Sequence, residues 1–584
     1  MPTLHALLAE RLAAAVLPQF PEAKIQISAT ADARFGDYQT NVAMTLAKAA
    51  KRNPREVATD IIARFDAADL CAPPEIAGAG FINFRILNER LEREFSALCS
   101  DPHLGVPAPE KARQYVIDFS SPNVAKPMHV GHIRSTILGD ALARIAEFLG
   151  HKVVRDNHIG DWGTQFGMLL HGWKTLLDQS ALELDSLSEM ERIYKLVSAS
   201  YRDNPATQEA VRNELGRLQS SDPETLALWQ EMIRLSQAQF DTIYGRLGVR
   251  FDVTLGESFY NPWLREIVLE LQSKNIARES EGALCVFSDR ALPEKEDPFL
   301  IRDEDGWRDN PAMVQKSDGT FNYTTTDLAT LQYRLKTWAP DEIIVVTDGR
   351  QQQHFRQLAA IFRRWQPEAP LTLSHVWFGS ILGDDGKPFK TRSGETVRLA
   401  ELLDEAEERA LAQVTEKNPL LPESERREIA RIVGLGAVKY ADLLPNRQSD
   451  YVFSWDKMLS FQGNTAPYLQ YSYVRIRSIF RKLETLWTPT SEIVSFSDPA
   501  EIELVKKLLQ FGEVLPTILD DHRPNLLANY LYEVASTFHS FFEACPVLKS
   551  DGDTRATRLK LCDATGRVLQ KGLHLLGIEV PERM

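Results

Sequence analysis

Cysteine is scarce and scattered. Cys71, Cys99, Cys285, Cys545 and Cys562 are odd in number and form no CxxC pair, which argues against both a disulfide framework and a thiolate zinc site. No apolar run approaches the ~20 residues that span a bilayer. The apolar rhythm of MPTLHALLAERLAAAV is broken by Glu10 and Arg11 and carries neither a basic leader nor a cleavage site. A soluble, cytoplasmic chain without a membrane partner is expected. An excess of positive charge is also missing: the formal charge of -14 speaks against a general polyanion binder. It leaves room for a local basic groove, because charges more than ~8 Å apart are screened at physiological salt. No short repeat or low-complexity tract breaks the chain. At 584 residues it exceeds one core, so three or four domains of ~50–250 residues each are expected.

What is present reads as three regions. Residues 1 to about 110 mix helical stretches with short strands such as KIQIS and FINFRI, and end in the proline-bearing linker DPHLGVPAPEKAR. Then QYVIDFS reads as a buried strand, SPNVAKPM as a loop, HVGHIRSTILGDALARIAEFLG as a helix stopped by Gly150, and HKVVRDN as a second strand. DEIIVVTDG followed by QQHFRQLAAIFRRW repeats the pattern. This βαβ alternation predicts a doubly wound parallel sheet over 111–400, with residues 185–247 as a helical insertion remote from function. From about 401 to 584 the pattern is helical, as in LLANYLYEVASTFHSFFEA, and predicts an all-α bundle.

Chemistry concentrates between the first of these strands and its helix, where His129-Val-Gly-His132 stands. A strand-to-helix turn at the carboxyl edge of a parallel sheet is where such folds bind nucleotides, because the helix start offers unpaired N–H groups and partial positive charge. His129 and His132, three apart, can face one ligand, and Gly131 removes a side chain where adenine or phosphate must approach the backbone. The alternatives are two histidines on a plain helix surface, or part of a zinc set. No HExxH helix or neighbouring cysteine completes such a set, although His151 and His158 are close in sequence.

These strings resemble the class I aminoacyl-tRNA synthetases, whose HIGH signature matches His129–His132 with Val for Ile. DFSSPNVAKPMHVGHIRSTILGD, DNHIGDWGTQFG, VKYADL, GNTAPYLQYSYVR and LLGIEVPERM are similar to the arginyl branch in particular, over essentially the whole chain. The resemblance implies an arginine–tRNA ligase: an ATP-dependent, AMP-forming enzyme that makes arginyl-adenylate and passes arginine to the 3′ end of tRNA(Arg). ATP, accompanied by magnesium, arginine and tRNA(Arg) are the expected ligands, with no tightly bound protein metal and a monomeric chain. It also implies a Rossmann-like catalytic domain, an α/β amino-terminal domain at the tRNA elbow and an anticodon-binding carboxyl-terminal bundle. Need of tRNA for the first step is implied as well.

Residue by residue, His129, Gly131 and His132 are expected at ATP. The second family signature, KMSKS, falls on Phe389-Lys390-Thr391-Arg392-Ser393. There Arg392 replaces the second lysine and Phe389 the first, so Lys390, Thr391 and Arg392 are expected at ATP and Lys126 as the compensating cation. A basic surface turn is the alternative. Around arginine the resemblance implies Asp118 and Asn123 at the α-amino end with His132, Tyr323 and Asp327 at the guanidinium, and Gln351 and Glu257 alongside. Gln352 and Gln353 adjoin Gln351, and a solvated loop acid is the other reading of Glu257. Tyr323 and Asp327 also make sense alone. Four apart at a helix start, they share a face, and an Asp–guanidinium pair is bidentate; a helix cap and a core tyrosine are the alternative. His158, Gly160, Asp161 and Gln165 are expected to line the cleft. For tRNA the resemblance points to Asn83 in the first domain. Tyr468, Tyr471 and Arg475 share a helical face suited to unpaired bases, or pack as an aromatic stripe. A synthetase for another amino acid, a small-molecule adenylating ligase and a non-catalytic RNA-binding relative are the rivals.

Overall fold

In the computed structural model, which describes residues 2–30, 32–389, 396–483, 487–488 and 494–584, the expected parallel sheet has five strands. They are β1 (Gln114–Asp118), β2 (Lys152–Ile159), β3 (Val253–Gly256), β4 (Glu342–Asp348) and β5 (Thr372–Phe378). Their order is β5-β4-β1-β2-β3 and every pair is parallel, so the winding direction reverses between β1 and β4. That reversal opens a crevice at the carboxyl ends of the strands. Val116, Ile343 and Val345 of the sheet pack against Leu328, Leu358, Ile361 and Trp365 in the main core. This two-sided burial explains why β1 and β4 read as continuous apolar runs rather than alternating ones.

The connecting helices are α1 (Val130–Phe148) between β1 and β2, α2 (Pro223–Leu247) before β3, α3 (Tyr323–Trp338) before β4, and α4 (Gln352–Trp365) between β4 and β5. Helical structure after β2 begins at Thr164, ahead of the expected 185. Between β3 and α3 lies an element the sequence pattern did not reveal. Ala277–Ser280, Ala283–Val286 and Ala312–Gln315 form a three-stranded antiparallel sheet, and Leu300–Asp303 pairs with Gly306–Asp309 in a hairpin. Four-residue strands are too short to display a clear alternation.

Two compact units divide the chain. One joins residues 110–459 with 576–578, and the other joins 1–109, 460–575 and 579–584. The helices α5 (Leu399–Lys417) and α6 (Glu423–Leu443) thus lie in the unit of the sheet. The Leu399 amide donates to Met128 O at 2.9 Å, and Arg134 of α1 pairs with Asp442 of α6 at 2.8 Å, both side chains buried. In the second unit the strands Ser28–Ala29, Tyr38–Thr40, Phe81–Phe84 and Glu75–Ala77 lie side by side, antiparallel. Around them stand helices Leu4–Val16, Val42–Ala50, Pro54–Ile62 and Asn88–Ser100, and the unit also holds Ala466–Arg481, Pro499–Leu509, Phe511–Asp521, Asn525–Ala544 and Gly552–Leu575. Tyr38 OH donates to Glu513 at 2.8 Å and Lys506 meets Asp37 at 2.7 Å. Among the described residues no helix is long and apolar enough to cross a membrane.

Candidate active site at the sheet edge

The turn from β1 into α1 is wound unusually tightly. Ser120, Ser121 and Ala125 have φ of 74, 48 and 62°, a region that costs a non-glycine residue free energy and persists only where the surroundings enforce it. The surroundings do so through hydrogen bonds. Ser120 N donates to Ser135 Oγ (2.9 Å), Ser121 N to Asn157 Oδ1 (3.1 Å) and Ala125 N to Ser236 Oγ (2.9 Å). Tyr244 OH lies 2.8 Å from Ser120 Oγ. Ser236 and Tyr244 belong to α2, so the helical region read as remote from function braces this loop. Val124 N donates to Gly160 O at 2.9 Å and Gly160 N to Pro122 O at 3.1 Å. A Cβ at Gly160 would stand 2.3 Å from Asn123 Oδ1, so glycine lets the exposed Asn123 side chain lie against that backbone.

His129 is the N-cap of α1. Its Nδ1 accepts the Gly131 amide at 3.0 Å, while His132 Nδ1 accepts the His129 amide at 3.1 Å. The rings lie 4.0 Å apart, and a Cβ at Gly131 would reach within 2.9 Å of the His129 ring. Gly131 therefore makes room for the capping imidazole. Burial, then Lys126, lowers the His129 pKa; burial, then the His129 ring, lowers His132 to about 3. Both rings are neutral at pH 7. Because each Nδ1 accepts a backbone N–H, the one ring proton sits on Nε2. The start of α1 thus offers two Nε2–H donors in addition to its helix dipole. Lys126 Nζ stands 4.9 Å over the Tyr194 ring.

Lys390, Thr391, Arg392 and Ser393 lie outside the described residues. Their flanks are anchored beside the site. Phe389 stacks on Phe453 at 4.5 Å and its amide donates to Ile381 O at 3.0 Å. Beyond them, Val130 N donates to Val397 O at 3.0 Å and His129 bridges to Arg398.

A second cluster is acidic. Glu257 opens the turn after β3, Asp161 follows β2, and Asp327 lies on α3. Burial drives the Glu257 pKa up to about 7; His158 opposes this, and the charges of Asp327 and Asp161 reinforce it. Asp161 accepts from Ser258 N (2.8 Å) and Ser258 Oγ (2.6 Å), fixing the residue next to Glu257. His158 Nδ1 is buried without a hydrogen-bond partner among the described residues. Tyr323 and Asp327 share a face, as expected, and both meet His354. Asp327 Oδ2 is 2.6 Å from its Nε2 and the Tyr323 ring 4.8 Å from its ring. Gln351 is exposed in the turn after β4, whereas Gln353 is taken up by Pro298 O. Gln165 is half-buried near the start of its helix, Thr164–Leu176.

Two expectations change. Asp118, expected at the substrate ammonium, is buried with both oxygens engaged: Arg334 Nη2 donates to Oδ2 at 2.7 Å and Ser121 Oγ to Oδ1 at 2.9 Å. Arg334 also holds Asp156 at 2.8 Å. Asn83, expected at a tRNA surface, is 6% exposed within strand Phe81–Phe84, and its Oδ1 is buried without a hydrogen-bond partner among the described residues. Arg334, Asp156 and His354 escaped sequence reasoning. Arg334 is seven residues past Asp327, on the same helical face, and that spacing was the available signal. In the other unit Tyr471 is exposed, Arg475 lies over the Tyr471 and Phe542 rings at 5.5 and 5.0 Å, and Tyr468 neighbours Tyr532 at 5.7 Å.

Comparison with known proteins agrees with this layout. A model of the class I (R) tRNA synthetase catalytic domain matches residues 95–455. An arginyl tRNA synthetase N terminal domain matches 2–86, and a DALR anticodon binding domain matches 469–584. The chain is 47% identical to the arginine–tRNA ligase of Laribacter hongkongensis and 45% to that of Chromobacterium violaceum, covering 100% of both partners in each case. Among solved structures, arginyl-tRNA synthetase from Plasmodium falciparum superposes with a TM-score of 0.84 at 28% identity, and that of Thermus thermophilus with 0.83 at 26%. Each is covered in full, as is this chain. With a matched catalytic domain spanning most of its length and relatives this similar from end to end, the chain belongs to the class I arginyl-tRNA synthetases.

Proposed function

We propose that this chain activates arginine with ATP and transfers it to tRNA(Arg), releasing pyrophosphate and AMP. The observations that carry this reading are an acidic cluster of Glu257, Asp161 and Asp327 and, on the same sheet unit, a helix start bearing two neutral, donating histidines. In the first step the carboxylate oxygen of arginine attacks the α-phosphorus of ATP and the bond to pyrophosphate breaks. In the second, a terminal ribose hydroxyl of tRNA attacks the adenylate carbonyl and AMP leaves. No side chain becomes covalently attached; the site works by positioning and by fixed charge where charge develops. The Nε2–H groups of His129 and His132 donate to phosphate oxygens. Lys126, with Lys390, Thr391 and Arg392, supplies positive charge and hydrogen bonds to the leaving pyrophosphate.

At the other end, Asp327 accepts from the guanidinium and Tyr323 covers it, Asn123 meets the ammonium end, and Glu257 and Gln351 lie alongside the substrate. Asp118 supports the site through Arg334 and Ser121. Magnesium would accompany ATP, neutralising charge on the triphosphate. The helices around Tyr468, Tyr471 and Arg475 take the anticodon and the first domain the tRNA elbow, with the chain a cytoplasmic monomer.

Aminoacylation of unfractionated tRNA with each labelled amino acid tests the reading. Arginine alone should be charged, and charging of another amino acid, or none, would overturn it. Coupling of the first step to tRNA is tested by arginine-dependent pyrophosphate exchange, which should be silent without tRNA and appear on its addition; full exchange without tRNA would refute the coupling.

Glu257 adds a pH signature. Its folded-state pKa, about 7, lies above the ordinary glutamate value of 4.5, so its contribution to stability is full below that ordinary value and is lost as pH rises through about 7. A bound guanidinium favours the carboxylate, so arginine affinity should move the opposite way. KM for arginine should fall roughly tenfold between pH 6 and pH 8 as the proton leaves, and Glu257→Gln should flatten that profile. A KM independent of pH in the unsubstituted chain would remove Glu257 from the pocket.

A further inference from the structure

We propose that His354 is a positioning residue for guanidinium recognition, fixing the Asp327 carboxylate and the Tyr323 ring in the orientation that a planar, fork-shaped cation requires. The proposal rests on the reading of Asp327 as the guanidinium's partner. Tyr323 and Asp327 lie one turn apart on α3, and one side chain from another element touches both. His354, on the first turn of α4, brings Nε2 to 2.6 Å from Asp327 Oδ2 and its ring to 4.8 Å from that of Tyr323 at 67°. Its own ring is packed against Phe355 at 5.2 Å, which is stacked on His375 at 4.5 Å.

The physical need for such a brace is specific. The terminal torsion of an aspartate is broad and roughly two-fold, whereas a bidentate contact requires both oxygens in the plane of the guanidinium. The donor on Oδ2 removes that freedom and consumes one acceptor position, leaving Oδ1 and the rest of Oδ2 for the ligand. Tyr323 needs the same support: it is 61% exposed, and the ring contact described for it is the His354 edge. His354 acts through these two residues and touches no reacting atom.

The test uses the full-length chain with tRNA, measuring KM for arginine and for ATP in pyrophosphate exchange. H354F keeps an aromatic ring against Tyr323 and Phe355 but deletes the donor. It should raise KM for arginine about tenfold to a hundredfold, the loss expected for a hydrogen bond to a charged group, while KM for ATP stays within about twofold. H354Q, whose amide N–H reaches the same oxygen, should recover most of the affinity. H354F combined with D327N should be no worse than D327N alone. If H354F is too unstable to assay, H354N, whose amide stops short of Asp327, takes its place with the same predicted split.

The proposal is overturned if D327N raises KM for arginine and the donor-deleting variant does not, or if that variant raises both KM values equally. If D327N leaves KM for arginine unchanged, the reading of the pocket fails and the proposal falls with it.

Discussion

Arg334→Met should destabilise the catalytic unit by about 3–5 kcal/mol, the penalty for removing one partner of a buried ion pair. The guanidinium is entirely buried and bridges Asp118 at 2.7 Å and Asp156 at 2.8 Å, residues paired across β1 and β2. Burial already raises the Asp156 pKa against the pull of Arg334. Without the guanidinium the two carboxylates face each other in a site that water does not solvate, and Asp156, already raised, should take up a proton more readily. Denaturant unfolding followed by tryptophan fluorescence should therefore show a large loss at pH 7 and a smaller one at pH 5. A loss below about 1 kcal/mol, typical of an exposed pair, would mean that Arg334 does not hold this corner of the sheet.

His129→Asn separates the two jobs of the capping histidine. Asparagine is among the best N-cap residues, so the start of α1 should keep its stability, while the Nε2–H donor is lost. Adenylate formation in the presence of tRNA should fall about 10²–10³-fold, the effect of deleting one preorganised donor at developing charge. Unchanged unfolding with a collapsed rate is the expected pair of results. A rate within about threefold of the parent would instead assign His129 to capping alone. Because burial lowers the pKa of both rings, each Nδ1 should remain an acceptor for its backbone N–H at pH 7, while Nε2 donates whether or not the ring is protonated.

What the sequence made legible was local. The strand, turn and helix around His129–His132 are contiguous, their period and the helix stop at Gly150 are visible in single letters, and one of the strings that carry the family resemblance is the same one. The doubly wound sheet followed from two βαβ patterns, and Tyr323 and Asp327 fell on one helical face by spacing alone. What stayed hidden depends on partners far along the chain. Nothing around Arg334 says that it meets Asp118 and Asp156 at separations of 216 and 178 residues, and so nothing warned that Asp118 is already engaged. Ser236 and Tyr244 look like ordinary helix residues until they are seen bracing a loop more than a hundred positions earlier. Asn83 carried a motif match, but burial belongs to the folded strand and not to the motif. His354 stood unremarked in QQQHFRQ, since only the folded chain brings it to Asp327.

The central claim is that the reacting phosphate lies at the start of α1 while the guanidinium fills the acid pocket of Asp327 and Glu257. A crystal structure with a non-hydrolysable arginyl-adenylate analogue addresses it most directly. The account predicts the phosphate-mimicking oxygens within hydrogen-bond distance, about 2.7–3.2 Å, of Nε2 of His129 and His132, with the guanidinium forked onto Asp327. An analogue seated elsewhere with that crevice empty, or a zinc ion held between the two imidazoles, would contradict it.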